Sequence, residues 1–171
     1  MSQPQIALSS LPPREQWLAI NEHCPMAQMF EVVGTRTAFL LLREAFYGAT
    51  RFDQFVERAE ISEPVAAARL KELVDAGLLE RFAYQEPGQR SRDGYRLTDK
   101  GSDMVPVLVA MVAWGDRWVF DGHARGKISH VGCGEQVKAV LRCDEGHDVT
   151  PADLELRLHR RPKLRPAASA A

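Results

Sequence analysis

A mainly α-helical fold carrying a small β wing is predicted by three observations, all within residues 51–101. A short amphipathic run with Phe52, Phe55 and Val56 leads into a turn that ends in Ser62. A second run repeats apolar residues at helical spacing, Ala66, Leu70 and Leu73, and stops at Gly77. Two β-type runs follow, 78–84 and 94–98, joined by a basic, glycine-containing connection. Helix, turn, helix and a two-stranded wing in this order outline a winged helix-turn-helix, an architecture that reads duplex DNA.

The remaining elements are justified in chain order. Residues 1–13 are rich in Ser, Gln and Pro without periodicity and are expected to form a flexible arm. Residues 14–21 suit a short helix. Pro25 suits the first turn of the next helix, where its missing N–H costs nothing, and this sets Cys24 at the N-cap. Met26, Ala27, Phe30 and Val33 give that helix its spacing up to Gly34. Residues 36–46 are apolar almost all round, which predicts a buried central helix, and Gly48 breaks it.

Residues 99–120 read as the longest helix. Thr98 is its N-cap and Asp99 faces its positive end. Met104, Leu108, Met111, Val112, Gly115 and Val119 recur at helical spacing, Trp114 and Trp118 add large surface, and Pro106 is expected to bend it. Composition changes after Gly122. Residues 123–158 read as a small β-containing appendage, with a β-prone piece at 137–141 and turns at 132–134 and 145–146. Residues 159–171 read as a basic, then Pro- and Ala-rich, disordered tail. The winged domain with its flanking helices thus spans 14–122.

Totals bound the function. A chain of 171 residues suits one domain with an appendage or two small units. A formal net charge of -1 means that any DNA binding must rest on a local basic surface. No apolar run is long enough for a membrane span. No basic region followed by an apolar core opens the chain, so the cytosol is the expected compartment and the three cysteines are expected to be reduced. Enzyme readings find no glycine-rich phosphate loop, nucleophile elbow or paired catalytic carboxylates. His23 and Cys24 are neighbours in sequence, which does not make a catalytic dyad.

On the second helix of the motif, Ser62 is the expected N-cap and Pro64 is tolerated in the first turn. The buried stripe runs through Val65 or Ala66, then Leu70, Leu73 and Val74. The outward face carries Glu63, Ala67, Ala68, Lys71 and Asp75, with Arg69 at its edge. Arg69 and Lys71 are the candidates for base-edge contact. Arg90, Arg92 and Arg96 are placed to reach phosphates or a narrow minor groove from the wing, although Asp93 dilutes their charge, and Arg51 is a further phosphate candidate.

The cysteines and histidines offer two other chemistries. The Cys24 thiol at a helix N-terminus faces unpaired N–H groups that favour its thiolate; the alternative is a half-buried cap that never reacts. His130, Cys133, Cys143 and His147 form H-x2-C-x9-C-x3-H, which could supply four tetrahedral ligands to zinc. The alternatives are a hairpin with incidental polar residues, or a Cys133–Cys143 disulfide.

Longer stretches carry a family pattern. They are Cys24-Pro25-Met26, Val33-Gly34-Thr35-Arg36, Leu41-Leu42-Arg43-Glu44 and Arg51-Phe52, then Ile61-Ser62 and Arg69-Leu70-Lys71-Glu72-Leu73. Gly77-Leu78-Leu79, Tyr95-Arg96-Leu97-Thr98 with Lys100-Gly101, and Trp114-Gly115 complete it. In order and spacing the chain resembles the HxlR-type winged helix-turn-helix regulators of bacteria, of the broader MarR-like kind, over residues 24–120. The resemblance implies a homodimeric transcription regulator, a repressor more than an activator, on a pseudo-palindromic site with half-sites ~34 Å apart. It also implies that flanking helices build the dimer, with Leu108, Met111, Trp114 and Trp118 in the interface. A sensing cysteine at the Cys-Pro position, here Cys24, is a further implication. The expected partners are double-stranded DNA, a second copy and a small-molecule or electrophile effector, with no membrane; zinc is the one cofactor considered. Thr37 departs from the tryptophan usual in the family, and Ala67 and Ala68 depart from polar residues, which leaves contact with thymine methyls or close approach.

Overall fold

The computed structural model describes residues 7–8, 24–85 and 91–157. The described residues fall into two compact units. One is Gln28–Ala139; the other combines 7–8 and 24–27 with 140–157.

The chain enters the larger unit along helix α1 (Pro25–Val33). It ends at Gly34, whose N–H donates to the Phe30 carbonyl at 2.7 Å. A Cβ at Gly34 would lie 2.2 Å from that oxygen, so only glycine makes this turn. Helix α2 (Arg36–Phe46) starts with Thr35, whose hydroxyl accepts from the Ala38 N–H at 3.1 Å. Its central position is as predicted: Ala38, Leu41 and Leu42 are buried, together with one carboxylate, Glu44. Helix α3 (Phe52–Ala59) is fixed at its start by the Gln54 side chain, which accepts from the N–H groups of Thr50 and Arg51 at 3.0 and 3.1 Å. Helix α4 (Glu63–Asp75) follows, then the antiparallel pair β2 (Leu79–Tyr84) and β3 (Arg92–Leu97).

The core lies where α2, α3 and α4 close on the base of this hairpin. Leu41, Leu42, Phe55, Leu70, Leu73 and Leu79 are fully buried there. Each is worth roughly 1.5–3 kcal/mol of burial. Phe55 stands edge-on to Tyr95 of β3, with ring centroids 5.9 Å apart. On α4 the structure resolves the open alternative: Ala66 is buried and Val65 is exposed.

The segment 99–120 is two helices, not one bent helix. Short α5 (Asp99–Ser102) is capped by Thr98, whose hydroxyl accepts from the Gly101 N–H and donates to the Gly77 carbonyl. Gly101 is buried so tightly that a Cβ would lie 2.1 Å from the Leu78 carbonyl oxygen. The chain then turns through Asp103 and Met104 into α6 (Val105–Val119). Pro106 sits in the first turn of this new helix, where it breaks no hydrogen bond, so the expected kink is absent.

Two further expectations are corrected. No strand forms at 137–141; isolated bridges flank it, Ser129 with Gln136 and Arg142 with Asp148. Within the supposed flexible arm, β1 (Ala7–Leu8) pairs in parallel with β4 (Glu155–Leu156). Nearby, Asp153 accepts from the hydroxyl and backbone N–H of Thr150, which holds its carboxyl below the usual carboxylate range. The helix expected at 14–21 and the tail 159–171 lie outside the described residues. Among the described residues no helix is long and apolar enough to cross a membrane.

Candidate nucleic-acid interface

Burying Ala66, Leu70 and Leu73 turns the other side of α4 to solvent. Glu63, Ala67, Ala68 and Lys71 are exposed there, and Arg69 is half-buried at the edge. Ser62 occupies the N-cap position as expected, but its side chain makes no capping hydrogen bond. The hydroxyl at the leading end of α4 therefore keeps its hydrogen-bonding capacity for another partner.

The wing is tied to the helices by a third short stretch of backbone. Arg51 forms an antiparallel bridge with Gly94, and the Tyr95 N–H donates to the Thr50 carbonyl at 2.8 Å. This bridge carries Arg51 to the side of the wing, a placement that sequence spacing alone does not give. Gly94 leaves room for the Phe82 ring across the hairpin: a Cβ there would lie 2.6 Å from the ring's far edge, which would have to shift. Arg92 is the first residue of β3, opposite Tyr84, rather than part of the loop. It is exposed and has no ion-pair partner among the described residues. Arg90 lies outside the described residues.

The feature sequence reasoning missed is how thoroughly the cations are paired. Arg69 is bonded to Glu72, and Lys71 to Asp75, one turn on. Arg96 reaches Glu80 across the hairpin at 2.6 Å, with its guanidinium over the Phe82 ring. Arg81 lies 3.8 Å from Asp93, and Arg51 is 3.1 Å from Asp53. The two helical pairs could have been read from their i+3 and i+4 spacing; Arg96 with Glu80 needs the strand register. Exposed pairs of this kind are worth ~0–1 kcal/mol, so phosphate can replace the carboxylate at small cost. The carboxylates nevertheless lower the positive potential that draws in DNA.

The proposed dimer residues divide. Leu108 is already buried within its own subunit, at 8% exposure. Met111, Trp114 and Trp118 are open to solvent at 51%, 62% and 62%.

The residues considered for zinc make one close contact within each unit. His130 Nδ1 lies 3.3 Å from Cys133 Sγ, and Cys143 Sγ lies 3.6 Å from His147 Nδ1. Among the described residues no group of three or more His, Cys, Asp or Glu side chains gathers as a metal site. All three cysteines are free thiols, and Cys24 is half-buried just before α1.

Residues 32–122 match the family model described as HxlR-like helix-turn-helix. The chain belongs to this family. An uncharacterized HTH-type transcriptional regulator of Mycobacterium tuberculosis is 35% identical over 127 residues, covering 73% of this chain and 79% of the relative. The HTH-type transcriptional regulator YodB of Bacillus subtilis is 33% identical over 104 residues, covering 60% and 91%. Among solved structures, PA1607, a candidate transcription factor, superposes with a TM-score of 0.70 at 29% identity, over 84% of this chain and 99% of its own. The redox regulator HypR in its oxidized form matches with a TM-score of 0.50 at 25% identity, covering 55% and 96%. The winged helix-turn-helix fold predicted for the HxlR-like chain is thus the fold observed, and its relatives are regulators, not enzymes.

Proposed function

We propose that this HxlR-like chain is a cytoplasmic, homodimeric repressor that binds a pseudo-palindromic operator. The observation that carries the reading is the joint placement of α4 and the wing. The outward face of α4 presents Ser62, Glu63, Ala67, Arg69 and Lys71, while the Arg51–Gly94 bridge holds Arg51 next to β3, which carries Arg92 and Arg96. Helix contacts supply sequence preference and the arginines supply phosphate contacts. In a gel-shift titration, Arg69→Ala is expected to weaken operator binding and reorder preference among sites. Arg92→Ala is expected to weaken all sequences alike and to lower the salt slope by about one phosphate contact. Unchanged affinity and site ranking for the first, with an unchanged slope for the second, would remove both roles.

The carboxylate pairing of the cations favours a second reading, a winged helix that binds another protein and no DNA. The same titration separates them, because that reading predicts no salt-dependent binding to any duplex. A redox response, as the name of HypR states for that protein, would act here through Cys24 at the start of α1. Oxidant-dependent DNA affinity that disappears in Cys24→Ser is its test.

A further inference from the structure

Helix α6 has two unlike halves on one stripe. Met104, Leu108, Met111, Gly115 and Trp118 alternate at four- and three-residue steps, the spacing of a helix seam. The N-terminal half of this stripe is satisfied within the subunit: Met104 packs against the core and Leu108 is buried. The C-terminal half is bare, with Trp118 and its neighbours Trp114, Val119 and Phe120 all more than half exposed. Between the halves sits Gly115, where an added Cβ would meet nothing within 4 Å, so another helix backbone can approach closely.

Beside the buried half lies an apolar cavity of about 210 Å³. Phe39, Phe46 and Tyr47 of α2 and Leu108, Met111 and Val112 of α6 contribute to its walls. Arg43 also lines it, but its guanidinium is held by the buried Glu44 carboxylate at 2.6 Å, so the cavity offers no unpaired cation to an anionic ligand. An apolar cavity of ~150 Å³ accommodates benzene, and this larger one accommodates an indole.

We propose that the occupant is the partner's Trp118 in a symmetric dimer of this chain. If two α6 helices cross antiparallel with the two-fold axis at Gly115, each residue a given number of positions after Gly115 faces the residue the same number before it. Trp118 then stands opposite Val112, each about 4.5 Å along the helix from the crossing. The exposed indole of each subunit meets the cavity wall of the other, so the bare half of one stripe covers the satisfied half of its mate. Arg117 already lies over the Trp118 ring, with its guanidinium 4.7 Å from the centroid, which orders the indole before contact. The area suffices: with aromatic side chains offering 150–250 Å² each, and Trp114, Trp118 and Phe120 about six-tenths exposed, these three alone return roughly 500–900 Å² over both subunits. Met111, Val119 and the cavity walls bring the total to the ~1,000 Å² that a specific interface requires.

The inference rests on the homodimer reading, and the test separates the two. In full-length protein carrying Cys24→Ser, Cys133→Ser and Cys143→Ser, single variants V112C and W118C are purified, mixed and mildly oxidised; oligomeric state is followed by sedimentation. A disulfide-linked V112C–W118C heterodimer is expected, and none from V112C mixed with K71C on the outer face of α4. In the native background W118A should raise the dimer dissociation constant by ~30-fold or more, the effect of losing an interface anchor. Circular dichroism should show W118A folded, since its side chain is exposed. A dimer without the cross-link, or one whose cavity still takes up free indole, overturns the Trp118 placement and leaves the homodimer standing. A monomer at all concentrations overturns both.

Discussion

The reading head and the end of α6 treat large apolar side chains in opposite ways. Around Phe55 the three helices and the hairpin close on themselves, and Leu41, Leu70, Leu73 and Leu79 reach no solvent. Along the last two turns of α6, Trp114, Trp118, Val119 and Phe120 stand in water. Both regions are rich in apolar residues, so composition does not distinguish them. What differs is whether a second layer of the same subunit covers the face. A closed face stabilises the fold; an open aromatic face of this kind marks a contact with another molecule.

The largest expected effect lies on the closed side. Phe55→Ala removes a fully buried ring and its edge-on contact with Tyr95, and should cost ~3–5 kcal/mol in chemical denaturation. At a dilution where the protein is monomeric, Trp114→Ala should change stability by ~0.5 kcal/mol or less. Equal losses would erase the distinction between the two faces. Next comes Thr98→Ala, which removes the cap of α5 and the hydroxyl bond to the Gly77 carbonyl; ~1 kcal/mol is expected, read as a shift in the urea midpoint. The smallest stability effect falls on the outward face of α4. Glu72→Gln should leave the urea midpoint within ~0.5 kcal/mol, because exposed pairs contribute little. By releasing Arg69 it should nevertheless tighten binding to duplex DNA at low salt. Unchanged or weaker binding would mean that the carboxylate positions Arg69 rather than restrains it.

Much of this architecture was legible in the sequence, for physical reasons that can be named. Caps and stops bounded α2 and α4: Gly48 after the first, Ser62 before and Gly77 after the second. The periodicity of Ala66, Leu70 and Leu73 fixed the inner face of α4, and thereby its outer face. The break at 103–104 was not legible, because apolar spacing runs straight through it. Contact of Gly101 with the Leu78 carbonyl decides it, and that contact exists only once the hairpin has folded. The pairing of Ala7–Leu8 with Glu155–Leu156 joins two-residue strands far apart in the chain, too short to show a period. At the candidate site, residue types were readable but their partners were less so. The Arg96–Glu80 pair depends on strand register, and the position of Arg51 depends on its bridge to Gly94.

The central claim is that the outward face of α4 and the wing read duplex DNA as a two-fold pair. Selection of bound sequences from a random duplex pool tests it most directly. The account predicts enrichment of two inverted half-sites with centres one helical turn apart, ~34 Å. A pool that remains random, or one that yields only a single isolated half-site, would contradict it.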